Sequence, residues 1–303
     1  NVYRLRIFYI VLSRFHNKVV WVVASSSTIR NCLVLLKTNK YKLFLMNTSA
    51  SEIKVVTSAF IIIGNEILSG RTRDVNLSYL ATELVKIGIR LDEVRVVQDD
   101  QLVIANTVKA LRAEYDYVFT SGGIGPTHDD ITCESIALSF GLDVHHHPEA
   151  LARMKAHAEK RGVELNEARM RMARTPLGAS LITNPISAAP GFTIENVHVM
   201  AGVPSVFQAM VAELLPTLRT GTKIYSRTVV SNLGEGTVAK GLEKIQNKYP
   251  SIDIGSYPFF KEGVYGTSLV LRGTELNDLK IASKDIFNLI IEYGGNPSYG
   301  DEN

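Results

Sequence analysis

From residue 55 onward the chain alternates between two rhythms of apolar and polar positions. Ala59 to Ile63 is an unbroken apolar run, as expected of a strand covered on both faces. Leu77, Leu80, Ala81, Leu84 and Ile87 then recur at helix spacing, with Asn76 placed to cap the helix start and Gly88 its end. A second strand is predicted over 91–97, then a helix carrying Val103, Ile104, Val108 and Leu111. A third strand runs over 117–120 into a glycine turn, followed by a helix with Ile136, Ala137 and Phe140 that Gly141 closes. Three strand–helix units in succession predict an α/β fold with parallel strands and right-handed crossovers. Ligands of such sheets bind at the carboxyl ends of the strands. Here those ends are the segments 64–70, 98–100 and 121–130, and all three carry acids or glycines.

The pattern then loosens. Pro148 opens a helix through Lys160, and Glu164–Arg174 reads as a second, basic helix whose arginines either clamp phosphates or, on the plainer reading, form a solvated face. Asn184–Phe192 is a loop by its Pro and Gly content. Val197–Ala201 is a short strand running into Gly202-Val203-Pro204-Ser205, and the next helix starts with Pro204 in its first turn. Beyond about residue 220 the order is strand (224–230), helix (238–248), two strands (252–257 and 267–272) and helix (276–291). That order suggests a small antiparallel sheet with helices on one face, an α+β domain over 221–293. The tail, residues 294–303, is expected to be disordered.

Composition narrows the class. The 303 residues are 46% apolar, enough for two domains with buried cores, and no apolar run approaches the ~20 residues of a membrane span. Two cysteines, Cys32 and Cys133, without metal-like spacing fit a reducing cytoplasm. The net charge of +3 misleads, because residues 1–45 hold 8 basic residues and no acid. The rest carries 25 basic against 30 acidic residues, a net −5, which argues against nucleic acid as a partner. Residues 1–50 are read as a basic extension, non-native or disordered, with a targeting arm as the alternative. A domain over 55–220 holds the candidate chemistry.

That chemistry centres on Thr120-Ser121-Gly122-Gly123-Ile124-Gly125-Pro126-Thr127-His128-Asp129-Asp130-Ile131-Thr132. Three glycines in four positions bare main-chain N–H groups beside a helix start, which suits a phosphate. The carboxylates that follow suit a divalent cation. The plainer reading is a tight strand–helix turn in which Asp130 or Thr132 is the N-cap. Gly202-Val203-Pro204 is a second junction of this kind. His145-His146-His147 tempts a metal reading, but neighbours in an extended segment point to opposite faces, so the three are read as structural or solvated.

These motifs carry a resemblance. Gly64-Asn65-Glu66-Ile67-Leu68-Ser69-Gly70 with Asn76, the Ser121–Thr132 segment, Asn184-Pro185 with Ala189-Pro190-Gly191-Phe192, and Gly202-Val203-Pro204 resemble the MoaB/Mog molybdopterin-binding family. More narrowly they resemble the amino-terminal part of CinA proteins, a domain also fused to some eukaryotic FAD synthases; the amidase domain of many CinA proteins has no counterpart here. The resemblance implies a three-layer sandwich with a mostly parallel central sheet, and often a homo-oligomer. It implies a nucleotide or pterin ligand, with Mg²⁺, Mn²⁺ or Co²⁺ held by Glu66, Asp99 and Asp130 as catalytic residues. Ser121, Gly122, Gly123, Gly125, Thr127, Gly64, Asn76, Gly202 and Pro204 would contact the ligand or its phosphates. Asn65 stands where the family has Asp. Three functions follow: a metal-dependent pyrophosphatase on a nucleotide of the ADP-ribose or FAD type, a binder of molybdopterin or an adenylylated pterin in cofactor assembly, or a non-catalytic interaction module.

Overall fold

A computed structural model describes residues 55–302 apart from 262. Before them it describes the strands β1 (Ile7–Ile10), β2 (Ser13–Phe15), β3 (Lys18–Ser25) and β4 (Leu33–Leu36). These four form one antiparallel sheet in which β1, β2 and β4 each pair with β3, within a compact unit of residues 1–53. The expectation of a non-native or disordered extension rests mostly on residues outside the described ones.

The second unit begins with β5 (Val56–Ile63), α1 (Asn65–Leu68), α2 (Asn76–Lys86), β6 (Ile89–Val97), α3 (Gln101–Glu114), β7 (Tyr117–Ser121) and α4 (Thr132–Phe140). It continues through β8 (Val144–His146), α5 (Pro148–Arg161), α6 (Glu167–Met170), β9 (Arg174–Pro176), β10 (Ser180–Ile182), β11 (Gly191–Ile194), β12 (Val197–Met200) and α7 (Pro204–Leu214). The sheet order is β10-β11-β12-β7-β5-β6, with the four strands from β12 to β6 parallel and the β10 and β11 pairings antiparallel.

The two-residue period of β5 divides the core. Ala59, Ile61 and Ile63 pack with Ile104, Val108 and Leu111 of α3 and Ile136 of α4. Val56, Phe60 and Ile62 pack on the other side with Leu80 and Leu84 of α2 and Phe207, Met210 and Leu214 of α7. Helices therefore cover both faces of a mostly parallel sheet, as the sequence predicts. Both faces of β5 are apolar because both are covered.

Three local expectations need correction. The stretch 65–68 is a single helical turn, α1, inside the supposed loop 64–70. The basic helix expected over Glu164–Arg174 is only α6, capped by the Asn166 side chain on the Arg169 N–H, followed by a 3₁₀ turn. Pro176 disfavours helix at Thr175, and Arg174–Pro176 pairs with β8 instead. Asn76 does not cap α2: Asp74 accepts the Leu77 N–H at 2.9 Å, and the Asn76 side chain turns inward.

At the amino edge of the parallel sheet, Asp116 binds the start of β5 and the segment after α7 together. One carboxylate oxygen accepts from the Thr57 N–H at 2.9 Å, and the other pairs with Arg219 at 2.6 Å. The Thr57 N–H, helped by the Arg219 charge, holds the Asp116 carboxyl below its ordinary range. The chain then crosses the turn at Gly88, with the Gly221 N–H donating to the Ile87 carbonyl at 3.3 Å.

Past residue 222 come β13 (Tyr225–Ser231), α8 (Glu235–Lys248), β14 (Asp253–Lys261), β15 (Val264–Gly273) and α9 (Leu276–Glu292), in the order the sequence predicts. Their core joins Val229, Leu269 and Leu271 to Val238 of α8 and Leu279, Ile286 and Ile290 of α9. The tail is not disordered throughout. Residues 298–302 form β16 (Ser298–Glu302), which adds to the free edge of β13, while the Tyr299 ring stacks on Phe287 at 4.9 Å. No apolar rhythm announces this strand, because distant main-chain pairing and one aromatic contact hold it.

His198 of β12 lies in the core, stacked on Phe119 at 5.3 Å, with Nδ1 2.9 Å from the Thr193 hydroxyl. Burial pushes its pKa down to about 4. The folded state therefore holds it neutral between that value and the unfolded value of about 6.5. Its contribution is complete above pH ~6.5 and is lost as pH falls toward 4, to a total of roughly 3 kcal/mol. Urea unfolding at pH 7, 5.5 and 4.5 should show this decline, and His198→Gln should remove that part of the slope.

Candidate functional site

The carboxyl ends of β6, β5, β7 and β12 lie side by side, and the loops that leave them meet. β5 and β7 are neighbours, while the chain between them runs out to β6 and back, so a crevice opens beyond their ends. The cleft there measures about 510 Å³, within the ~300–1,000 Å³ usual for small-molecule sites. Glu66 comes from α1 and Thr72 from the segment after it, and Gly122 to Pro126 with Asp130 come from the loop after β7. Gly202, Val203, Pro204 and Val206 come from the start of α7, and Asn184, Ser187 and Ala189 from the loop before β11. Met172 and Met210 add apolar surface.

The glycine turn has two functions, divided among its residues. Gly122 donates its N–H to the Met200 carbonyl at 3.1 Å, so that amide is not offered to a ligand. Its role is steric: φ is 110°, and a Cβ there would sit 2.2 Å from the Ile63 carbonyl oxygen. Gly123 is next, with a positive φ of 67°. Its carbonyl accepts from the Thr132 N–H at 3.0 Å, and the Thr132 hydroxyl donates to the Gly122 carbonyl at 3.0 Å. Thr132 thus locks the turn without capping α4. No described residue takes up the N–H groups of Gly123, Ile124 and Gly125, and all three residues line the cleft. The amides without a described partner at the cleft are therefore these three, with Ile124 in place of the expected Gly122.

Asp130 is no helix cap either. Its Oδ2 accepts from the Thr127 N–H at 2.8 Å and the Thr127 hydroxyl at 2.5 Å, which holds the carboxylate against Gly125. Oδ1 accepts no hydrogen bond from a described residue. Glu66 folds back over Gly64, where a Cβ would meet its carboxylate. Asp99 is placed differently from the expectation. It accepts the Asn65 N–H at 2.8 Å, tying the β6 loop to α1, and it does not line the cleft. Among the described residues no three His, Cys, Asp or Glu side chains form a group able to hold a metal, so the expected trio is not assembled. The rings of His145 in β8 and His147 just after it lie 6.0 Å apart, and His146 is exposed.

Several expected ligand residues are engaged in internal hydrogen bonds. Asn76 is buried, and its Nδ2 donates to the Ser121 hydroxyl at 2.9 Å and to the Gly202 carbonyl at 2.8 Å. One side chain thus holds the β7 and β12 loops in register. Ser121 is buried beside it. The Gly64 N–H is spent on the Val97 carbonyl at 3.1 Å, and Thr127 serves Asp130. Gly202 and Pro204 do line the cleft. Asn76→Ala should cost about 1–3 kcal/mol, because it removes the donor to the buried Ser121 hydroxyl and to the Gly202 carbonyl, and a denaturant titration measures it. Met172, Thr72 and Ser187 are lining residues that sequence periodicity does not single out. Arg171 and Arg174 border a small adjoining hollow that shares Gly123, Gly125 and Asp130 with the cleft, and Arg174 is ion-paired to Glu134. Cys133 also borders it, but burial raises its thiol pKa to about 12 and leaves it unreactive.

A parallel sheet covered on both faces, with a glycine turn and carboxylates in the crevice at its carboxyl edge, defines an α/β domain of the doubly wound kind. The chain belongs to the family described as the probable molybdopterin binding domain, which it matches over residues 59–220. Residues 223–293 match the FAD synthase middle domain. A protein of Archaeoglobus fulgidus is 33% identical over 201 residues, covering 66% of this chain and 85% of its own. The probable FAD synthase of Caenorhabditis elegans is 32% identical over 242 residues, which is 71% of this chain and 46% of that one. The chain thus spans about half of that relative. The crystal structure of the protein CinA from Thermoplasma acidophilum is 32% identical with a TM-score of 0.50 and covers 54% of this chain and 98% of that one. No described helix is long and apolar enough to cross a membrane.

Proposed function

We propose that the domain binds a nucleotide of the ADP-ribose or FAD type across the glycine turn and hydrolyses its diphosphate with a divalent cation. One observation carries this reading: the unpartnered N–H groups of Gly123, Ile124 and Gly125 share a cleft with the carboxylates of Glu66 and Asp130. Two carboxylates rather than three fit the group, since Mg²⁺ is commonly held by one or two carboxylates together with substrate phosphates. When bound, such an ion polarises the phosphoryl oxygen and lowers the pKa of a water. The chain's own part is to hold the phosphates on the three amides, to fix Asp130 through Thr127, and to bring Glu66 to the same cleft. Asp99 holds the α1 turn that carries Glu66 and stands outside this set.

The family's own description favours a second reading, a pterin ligand bound without turnover. Incubation with ADP-ribose and with FAD in Mg²⁺, Mn²⁺ or Co²⁺, followed by chromatography for AMP, separates the two. Metal-dependent AMP release supports the hydrolase. No AMP, with saturable pterin binding, supports cofactor assembly.

A further inference from the structure

The loop before β11 supplies a hydroxyl whose proton must point away from the side chain that holds it. Asn184 is buried at 5% exposure, and all four of its hydrogen-bonding positions are filled. Its Nδ2 donates to the Ser187 hydroxyl at 2.7 Å and to the Ala189 carbonyl at 2.8 Å. Its Oδ1 accepts from the N–H groups of Ile186 at 3.0 Å and Ser187 at 3.3 Å. The amide cannot turn over, because Oδ1 would then face the Ala189 carbonyl and Nδ2 would face two N–H donors. Ser187 Oγ must therefore accept from Asn184, and its own proton must point elsewhere. Ser187 is exposed and lines the cleft.

We infer that Ser187 is a specificity-determining hydrogen-bond donor for the ligand, and that Asn184 is the positioning residue that aims it. This rests on the cleft being the ligand site proposed above. The glycine turn supplies donors for phosphate oxygens. The Ser187 wall, shared with Ala189 and Met172, adds a donor beside apolar surface, where the part of the ligand beyond the phosphates lies. That part therefore presents an acceptor there, a carbonyl or ring nitrogen or a sugar oxygen.

Calorimetric titration of the full chain with ADP-ribose, FAD and inorganic pyrophosphate tests this. Ser187→Ala should weaken the preferred nucleotide about tenfold and leave pyrophosphate unchanged. Ser187→Thr, which keeps the hydroxyl, should restore most of the affinity. Asn184→Asp reverses the polarity, since a carboxylate accepts the Ser187 proton. It should match Ser187→Ala, and the double variant should bind no more weakly than either single one. Thermal melting of each variant identifies any that misfold, and Ser187→Ala with Ser187→Thr then carries the test alone. Unchanged nucleotide affinity in Ser187→Ala overturns the inference while leaving the cleft as the site. An equal loss for pyrophosphate overturns it too, by placing Ser187 among the phosphate contacts. A wild type that binds none of the three overturns the site and the inference together.

Discussion

Asp130→Ala should reduce metal-dependent turnover of the nucleotide diphosphate by at least about 10³-fold, a loss of roughly 4 kcal/mol of transition-state stabilisation. Asp130 lines the cleft, offers one carboxylate oxygen to Thr127 and leaves the other without a described partner. The substitution therefore removes a negative charge beside the three free amides and releases the Thr127 turn. The turn is exposed, so stability should fall by no more than about 1 kcal/mol. Asp130→Asn separates the two effects, since its amide oxygen can still accept from Thr127 but carries no charge. The asparagine variant should be as inactive as the alanine one, with a melting curve like that of the wild type. Steady-state kinetics in Mg²⁺ measures this, and turnover surviving in both variants would take Asp130 out of the mechanism.

Gly122→Ala should cost about 3–5 kcal/mol, the largest stability loss expected from a single methyl group in this domain. The added carbon would stand 2.2 Å from the Ile63 carbonyl oxygen, which belongs to the central strand and has no room to move. Gly202 closes the other side, since a Cβ on it would lie 3.3 Å from the Gly122 Cα. Gly70→Ala is the control. It too has a positive φ, 72°, but a methyl there meets nothing within 4 Å, so only the backbone cost of about 1 kcal/mol remains. Comparing the two by urea unfolding separates close packing from dihedral strain. Equal losses would mean that the Ile63 contact relaxes freely.

The parallel sheet was legible because the burial of β5 on both faces leaves a run no polar residue interrupts, and because each crossover helix repeats at its own period. The glycine turn was legible by composition, and so was the pairing of Glu66 with Asp130 at one cleft, since loops at the same strand ends must meet. The division of labour inside the turn was not. The amides of Gly122 and Gly123 look alike in sequence, and only the neighbouring strand's carbonyl decides which is spent. Asn76 misled for a similar reason, since a residue type that suits a helix cap also suits a buried bridge. Asp99 sits at the right strand end, but the Asn65 N–H beside it claims its carboxylate. The β16 strand depends on pairing with β13, some 70 residues earlier, which no local pattern can announce.

The way the chain leaves the first domain has a consequence for its history. Arg219 and Gly221 are fastened along the amino edge of the sheet, whereas the walls of the cleft are drawn wholly from residues between Glu66 and Met210. One continuous stretch of chain therefore supplies every wall of the cleft, and the exit toward the next domain lies at the opposite edge. Recombination downstream of residue 220 can exchange the neighbouring module without rewriting a single wall of the pocket. Such a segment can be inherited as a unit, in short proteins and in longer multidomain ones alike.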